Sequence, residues 1–355
     1  MKKILYVKHA NSSFVRSDQQ ILEKQYRVVP YLIHPEKTGF HFIRGMIGLA
    51  WFLVMNARGS SAMVSWFGDY HTALMVLAGR IMRIKVVIFA GGQEAISYPE
   101  LGKGVYLKKW RGKIVRYALR NASLIIPNHE SLILHDNRYY KPEGKPDGIS
   151  HYNPGITTPM VVVPNGIDTG KYYRDPSIEK NPHTVLTVGT MSTASDFINK
   201  GFDLFTELAR RNPGLRFTLI GIKKQFMPWI EENYQITSVA NLKIIFSFCP
   251  DEILFYEYNR AKVFVQASIT EGMPNTLNEA MLCGCIPVGS DVNGIPDAIG
   301  DTGIIVRRRD AGELDGAVHL AMQLESGTRA SERVIANYSF LLREERLLHV
   351  FNQYI

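Results

Sequence analysis
The sequence predicts an α/β chain of two doubly wound, Rossmann-like domains, and three observations carry that prediction. Short runs rich in β-branched residues alternate from end to end with stretches of helical length and period. Those short runs are almost continuously apolar, the mark of parallel strands covered on both faces. The alternation also comes as two series. Between Pro164 and Pro182 it breaks off in a polar, proline-containing stretch that opens on the turn dipeptide Asn165-Gly166.

In the first series strands are expected at Ile4–Val7, Val28–Ile33, Ala62–Trp66, Val86–Ala90, Leu124–Pro127 and Val161–Val163. Helices are expected between them, as at Tyr70–Met82 and Tyr106–Asn121. Lys141–Pro159, with four prolines and three glycines, has the composition of a loop. In the second series strands are expected at Val185–Val188, Arg216–Ile220, Leu242–Phe246, Val263–Gln266, Ile286–Gly289 and Gly303–Val306. The expected domains are 1–166 and 167–337, with 338–355 as a terminal helix. In open sheets of this kind ligands bind beyond the carboxyl ends of the strands, so chemistry is sought just after them.

The 355 residues are 46% hydrophobic and 21% charged, which excludes disordered, collagen-like and disulfide-stapled chains. The net charge of +8 conceals an asymmetry: residues 1–167 hold 22 Lys/Arg against 10 Asp/Glu, and the remainder 19 against 23. The basic excess therefore belongs to the first half and suggests anionic partners there. Cys249, Cys283 and Cys285 lack framework spacing, which fits a reducing compartment. Cys283-Gly-Cys285 has no second ligand pair at metal spacing, so small buried thiols are expected and no metal. Ile4–Val7 is too short for the core of an export signal. The longest apolar run, Gly45–Met55, falls short of the roughly 20 residues that span a bilayer. It is either a buried helix, the reading favoured, or one lying at an interface.

The most informative segment runs from Gln266 through Pro287. A strand ends near Gln266, a loop follows through Gly272, and a helix spans about Pro274–Leu282, with proline suited to its first turn. Glu271-Gly272-Met273 brings backbone close to that helix's N-terminus, where N–H groups and the helix dipole favour phosphate. Glu279 lies inside the helix, where a carboxylate can accept hydrogen bonds from vicinal hydroxyls. Glu271 and Glu279 are separated by seven residues. With the run Ala280-Met-Leu-Cys-Gly-Cys-Ile-Pro-Val288 that follows, the segment resembles the Glu-x7-Glu signature of retaining glycosyltransferases of family 4, which have the GT-B fold of two domains facing a cleft. Other segments resemble that family in the same order: Val163-Pro-Asn-Gly-Ile-Asp168, Leu186-Thr-Val-Gly189-Thr190 with Lys200-Gly201, Gly289-Ser-Asp291 through Gly303, and Gly91-Gly-Gln-Glu94 with Pro99-Glu-Leu-Gly102.

The resemblance implies that Lys200 contacts a donor diphosphate and that Gly189, Thr190, Gly272 and Met273 line its approach. The backbone at Asn275, Thr276 and Leu277 would cradle phosphates, Glu279 would hold a ribose, and Glu271 would face the transferred sugar. Lys200 and Glu271 are the implied catalytic pair. Two departures stand out. No Arg lies between Gly189 and Lys200, where the family usually has one, and the histidine many relatives carry after the fourth strand is replaced by Ala90-Gly91-Gly92. Gln93, Glu94 and His71 are candidates on the sugar or acceptor side, His71 being open also to an incidental place beside a helix-capping Asp69. No Asp-x-Asp pair of the metal-binding kind occurs. The implied co-substrate is a UDP- or GDP-sugar, with no cofactor and no metal; its departing diphosphate is met by Lys200 and the helix end, with no covalent enzyme nucleophile.

In that fold the first domain takes the acceptor. Lys109, Lys113, Arg116 and Arg120 fall in one helical stripe and Leu107, Trp110, Ile114 and Tyr117 in another. Two explanations stay open: a basic helix near anionic lipid or an anionic lipid-linked acceptor, and a solvated helix with its apolar side in the core. Nucleic acid is not expected, since no recognition motif accompanies the stripe. Arg329–Ile355 is expected to end in a helix that crosses back to the first domain. The function expected is a cytoplasmic glycosyltransferase of cell-envelope polysaccharide or lipopolysaccharide synthesis, peripheral on the inner face of the membrane. The alternatives are a silent relative that only binds, or a sugar-nucleotide epimerase on the same fold.

Overall fold
The computed structural model describes residues 1–8, 12–33, 39–247 and 249–355. The chain divides into two compact units. The first comprises Met1–His135, Pro146–Gly166 and Leu341–Ile355; the second comprises Asp136–Lys145 and Ile167–Phe340.

The first unit is built from β1 (Lys3–Lys8), α1 (Ser13–Glu23), β2 (Arg27–Leu32), α2 (Gly39–Asn56), β3 (Ser60–Trp66), α3 (Tyr70–Met82), β4 (Lys85–Ala90), α4 (Lys109–Asn121) and β5 (Leu124–Pro127). Its five strands are all parallel, in the order β2-β1-β3-β4-β5. Ile4 to Val7 and Val87 to Ala90 are wholly buried, because helices cover both faces of the sheet. Short strands β6 (His135–Asp136) and β7 (Pro146–Asp147) bracket the segment that belongs to the second unit, and α5 (Ile149–Tyr152) follows.

The second unit contains β8 (Asn181–Val188), α6 (Asp196–Asn199), α7 (Phe202–Arg211), β9 (Arg216–Ile222), α8 (Met227–Tyr234), β10 (Leu242–Phe246), α9 (Asp251–Arg260), β11 (Ala261–Gln266), α10 (Asn275–Leu282), β12 (Ile286–Ser290), α11 (Ile295–Ile299), β13 (Ile304–Val306), α12 (Ala311–Gln323) and α13 (Thr328–Tyr338). Its six parallel strands run β10-β9-β8-β11-β12-β13, which is 3-2-1-4-5-6 counted within the unit. That is the dinucleotide-binding order, and its direction reverses between β8 and β11. The last helix, α14 (Phe340–Tyr354), begins at the end of the second unit and lies otherwise in the first.

The structure departs from the sequence expectations at three places, and in α4 it shows which side is buried. Val161–Val163 is not a strand of its own, although Val161 and Val163 donate to Ile125 and Pro127 beside β5. Lys141–Pro159 is not one loop: it contains β7 and α5, and its first residues join the second unit. The Gly45–Met55 run lies in α2, but only Leu49 and Leu53 of that helix are buried. Its apolar residues surround the whole helix, and the sheet can cover one side. In α4 the buried residues are Gly112, Val115, Ala118 and Leu119, so the stripe containing Trp110 is not the core face.

Candidate active site
The strand reversal of the second sheet puts two loops next to each other, one after β8 and one after β11. At the end of β8 the Gly189 amide donates to Ile220 O at 3.0 Å. A Cβ on Gly189 would lie 3.0 Å from the Phe202 ring and 3.5 Å from the Lys200 stem, so the absent side chain leaves room for that lysine. The loop that follows is pinned by Asp196, whose Oδ2 accepts from the Ser192 and Thr193 amides, both at 2.7 Å. Thr190 is exposed at the loop's start. Gly201 adopts φ +71°, and a Cβ there would sit 2.3 Å from Ala267 O. Only glycine allows the Lys200-Gly201 turn to press against the end of β11.

The β11 loop is tied to the same turn. The Ile269 amide donates to Asn199 O at 2.8 Å, and Thr270 Oγ1 to Asn199 Oδ1 at 3.1 Å. These bonds bring Lys200 Nζ within 2.6 Å of Glu271 Oε2, with both side chains about one-fifth exposed. The Glu271 amide donates to Asn293 Oδ1 at 2.9 Å. Helix α10 then begins behind Pro274, and no side chain caps it. Gly272, Met273 and Leu277 are buried, while Asn275 and Thr276 are partly exposed at the helix end. Thr276 Oγ1 donates to Gln266 Oε1 at 3.2 Å, fastening α10 to β11. An ammonium beside an uncapped helix N-terminus can receive a multiply charged anion such as a diphosphate.

The family model for "Glycosyl transferases group 1" matches residues 182–323, a span that contains both loops and α10. The matched span lies within the second unit. Among curated relatives, the O-antigen chain mannosyltransferase B of Escherichia coli is 34% identical over 22% of this chain and 21% of its own length. One subunit of the human phosphatidylinositol N-acetylglucosaminyltransferase is 26% identical over 52% of this chain and 37% of its own. The matches thus span between about a fifth and two fifths of those proteins. Solved structures align along nearly the whole chain. A sucrose-phosphate synthase from Thermosynechococcus elongatus has TM-score 0.72 at 14% identity, covering 99% of each chain. The Anabaena protein HepE in complex with UDP-glucose has TM-score 0.71 at 15% identity, covering 99% of this chain and 100% of its own. The fold is therefore GT-B, made of two Rossmann-like units.

Within the matched span, Glu279 sits in the second turn of α10 and accepts from the buried Tyr258 hydroxyl at 3.0 Å. Burial pushes its carboxyl up to about 7, while Tyr258 and Lys171 pull the other way. The sequence did not point to Tyr258, Asn293 or Asn137, whose Nδ2 donates to Ile269 O at 2.8 Å just before Glu271. The Asn293-Gly294 dipeptide was the one signal available for any of them. Cys283 and Cys285 are free and buried, with their thiols pushed up by desolvation. Among the described residues, no group of three or more His, Cys, Asp and Glu could hold a metal ion.

The first-unit candidates occupy separate places. His71 is buried near the start of α3, its Nε2 3.0 Å from Ser65 Oγ, behind an Asp69 that caps the helix and holds Arg111 at 2.6 Å. Gln93 accepts from the Gly104 amide at 3.0 Å. Glu94 is fully buried; its Oε1 accepts from the Gly91 amide at 2.8 Å and burial raises its carboxyl to about 7. Lys109 and Lys113 are exposed, and Lys113 Nζ lies 4.9 Å over the Trp110 ring. Arg116 instead turns inward, donating to Tyr152 O at 2.8 Å and lying over Tyr106.

Proposed function
We propose that the protein is a retaining glycosyltransferase that moves a sugar from a UDP- or GDP-sugar to a hydroxyl of a glycan or lipid-linked acceptor in cell-envelope polysaccharide synthesis. The observation that carries this reading is the Lys200–Glu271 pair, 2.6 Å apart at the strand reversal and beside the uncapped start of α10. Two of the similar proteins lend support by their names, one an O-antigen mannosyltransferase and the other bound to UDP-glucose.

With donor bound, Lys200 exchanges Glu271 for the diphosphate. The amides of Asn275, Thr276 and Leu277 meet the remaining phosphate charge, and Gly189 lets it approach the backbone. Glu279 accepts hydrogen bonds from the ribose, and Glu271, released from Lys200, faces the sugar. The bond from the anomeric carbon to the diphosphate breaks as the acceptor oxygen bonds to that carbon on the same face. The acceptor proton passes to the departing phosphate oxygen. Negative charge grows on the leaving group, so fixed donors at that point lower the barrier. Removing one such donor typically lowers kcat by about 10²–10³-fold. Anionic lipid is the proposed partner of the first unit's basic surface, at the inner face of the cell membrane.

The test offers UDP-, GDP- and ADP-sugars and follows nucleotide release with and without membrane extract. Release with a UDP- or GDP-sugar is expected, lowered at least about a hundredfold in Glu271→Gln and Lys200→Ala. If no nucleotide sugar binds, or Glu279→Ala changes nothing, the reading fails.

A further inference from the structure
We propose that the outward face of α2 docks the protein on an anionic phospholipid bilayer. Phe40, Ile43, Ile47, Trp51 and Val54 recur at intervals of three and four residues, which places them in one stripe along the helix. Each is between 59% and 74% exposed, whereas Leu49 and Leu53 on the opposite side are buried. A stripe of this size on one helix is more apolar surface than scattered single residues, and such patches mark interaction sites.

The helices beside it say what covers the stripe. Chain steps from β2 to β3, β3 to β4 and β4 to β5 all move the same way across the sheet. Right-handed crossovers therefore put α2, α3 and α4 on one face. Phe42 and Tyr70 join α2 to α3, with ring centroids 5.3 Å apart. Leu77 and Ile81 of α3 and Trp110 of α4 are exposed as well. Across all three helices there are seven Lys and Arg residues and not one Asp or Glu. Arg44, Lys109 and Lys113 are exposed among them. Two copies meeting face to face would bring these cations together, whereas an anionic bilayer complements them and takes up the apolar stripe.

A groove of about 570 Å³ runs beside the stripe, between α2 and the end of β2, lined in part by Ile33, Arg44, Gly45 and Trp51. It has apolar walls with a cation at its rim, a shape suited to a lipid whose phosphate meets Arg44. No helix among the described residues is long and apolar enough to cross a membrane, so α2 lies in the interface and does not span it. This deepens the membrane part of the proposed function by assigning the contact to α2, where charge alone had pointed to α4. Its test needs neither donor nor acceptor, so it can fail while the transferase reading stands.

The full chain is sedimented with vesicles of phosphatidylcholine alone and of phosphatidylcholine mixed with phosphatidylglycerol. Binding to the mixed vesicles is expected, with about a tenfold or greater loss in the double variant Ile47→Ser/Trp51→Ser and a loss in Arg44→Glu. All three side chains are exposed, so unchanged circular dichroism and melting are expected, and Ile47→Ser and Trp51→Ser singly keep the test open if the double variant fails to fold. Absence of binding by the unaltered protein, or binding unaffected by the stripe variants, overturns the proposal. So does a dimer in sedimentation equilibrium that Ile47→Ser dissolves while vesicle binding persists.

Discussion
Burial raises the Glu279 carboxyl from an ordinary 4.5 to about 7, so near neutrality this side chain is divided between acid and carboxylate. As a carboxylate it can accept hydrogen bonds from both hydroxyls of a ribose; as an acid it gives up part of that capacity. Donor affinity should therefore rise as pH rises through about 7. Titrating a UDP- or GDP-sugar across that range checks this, and Glu279→Gln should flatten the profile. The same shift has a sign for stability. A raised folded-state value contributes stability that is fully present below the unfolded value near 4.5 and is lost as pH rises through about 7.

Between residues and molecule, the deciding element is the pair of loops after β8 and β11. Their positions were legible because a parallel strand, a glycine, a lysine and a helix start follow one another locally in sequence. What holds the two loops together was not. Asn199 bonds the Ile269 amide, Asn293 bonds Glu271, and Asn137 bonds Ile269 O from a segment that sequence order assigns to the first domain. Such bonds form only when distant chain segments meet, and no periodicity records them. The burial of α2 was not legible for a related reason: its apolar residues outnumber the positions the sheet can cover, so composition alone could not choose the core side. The close approach at Gly201 gives a test at this scale. With φ +71° and Ala267 O 2.3 Å from an added Cβ, Gly201→Ala should destabilise the second unit by at least about 1–2 kcal/mol. Its donor affinity should fall further than its melting temperature explains, because the shifted turn carries Lys200.

For the whole molecule, both sheets were readable from the alternation of strands and helices. The buried cation that helps fasten the last helix was not. Arg343 of α14 donates from Nε and Nη2 to the two oxygens of Asp18, each at 2.7 Å. It also donates from Nη1 to Val163 O and Pro164 O at 2.8 and 2.7 Å. Trp66 Nε1 adds a third bond to Asp18 at 3.0 Å. Arg343 is 3% exposed and Asp18 fully buried, so removing either partner strands a charge. Arg343→Leu should cost the first unit about 3–5 kcal/mol in urea unfolding, with loss of α14 docking.

The proposed donor site lies between the loops after β8 and β11, at the start of α10, and amide hydrogen exchange with and without saturating UDP- or GDP-sugar probes both loops at once. Slowed exchange is predicted across Thr190–Gly201 and Ala267–Leu277, lost in Lys200→Ala. Unchanged exchange in both segments with nucleotide sugar bound would contradict it.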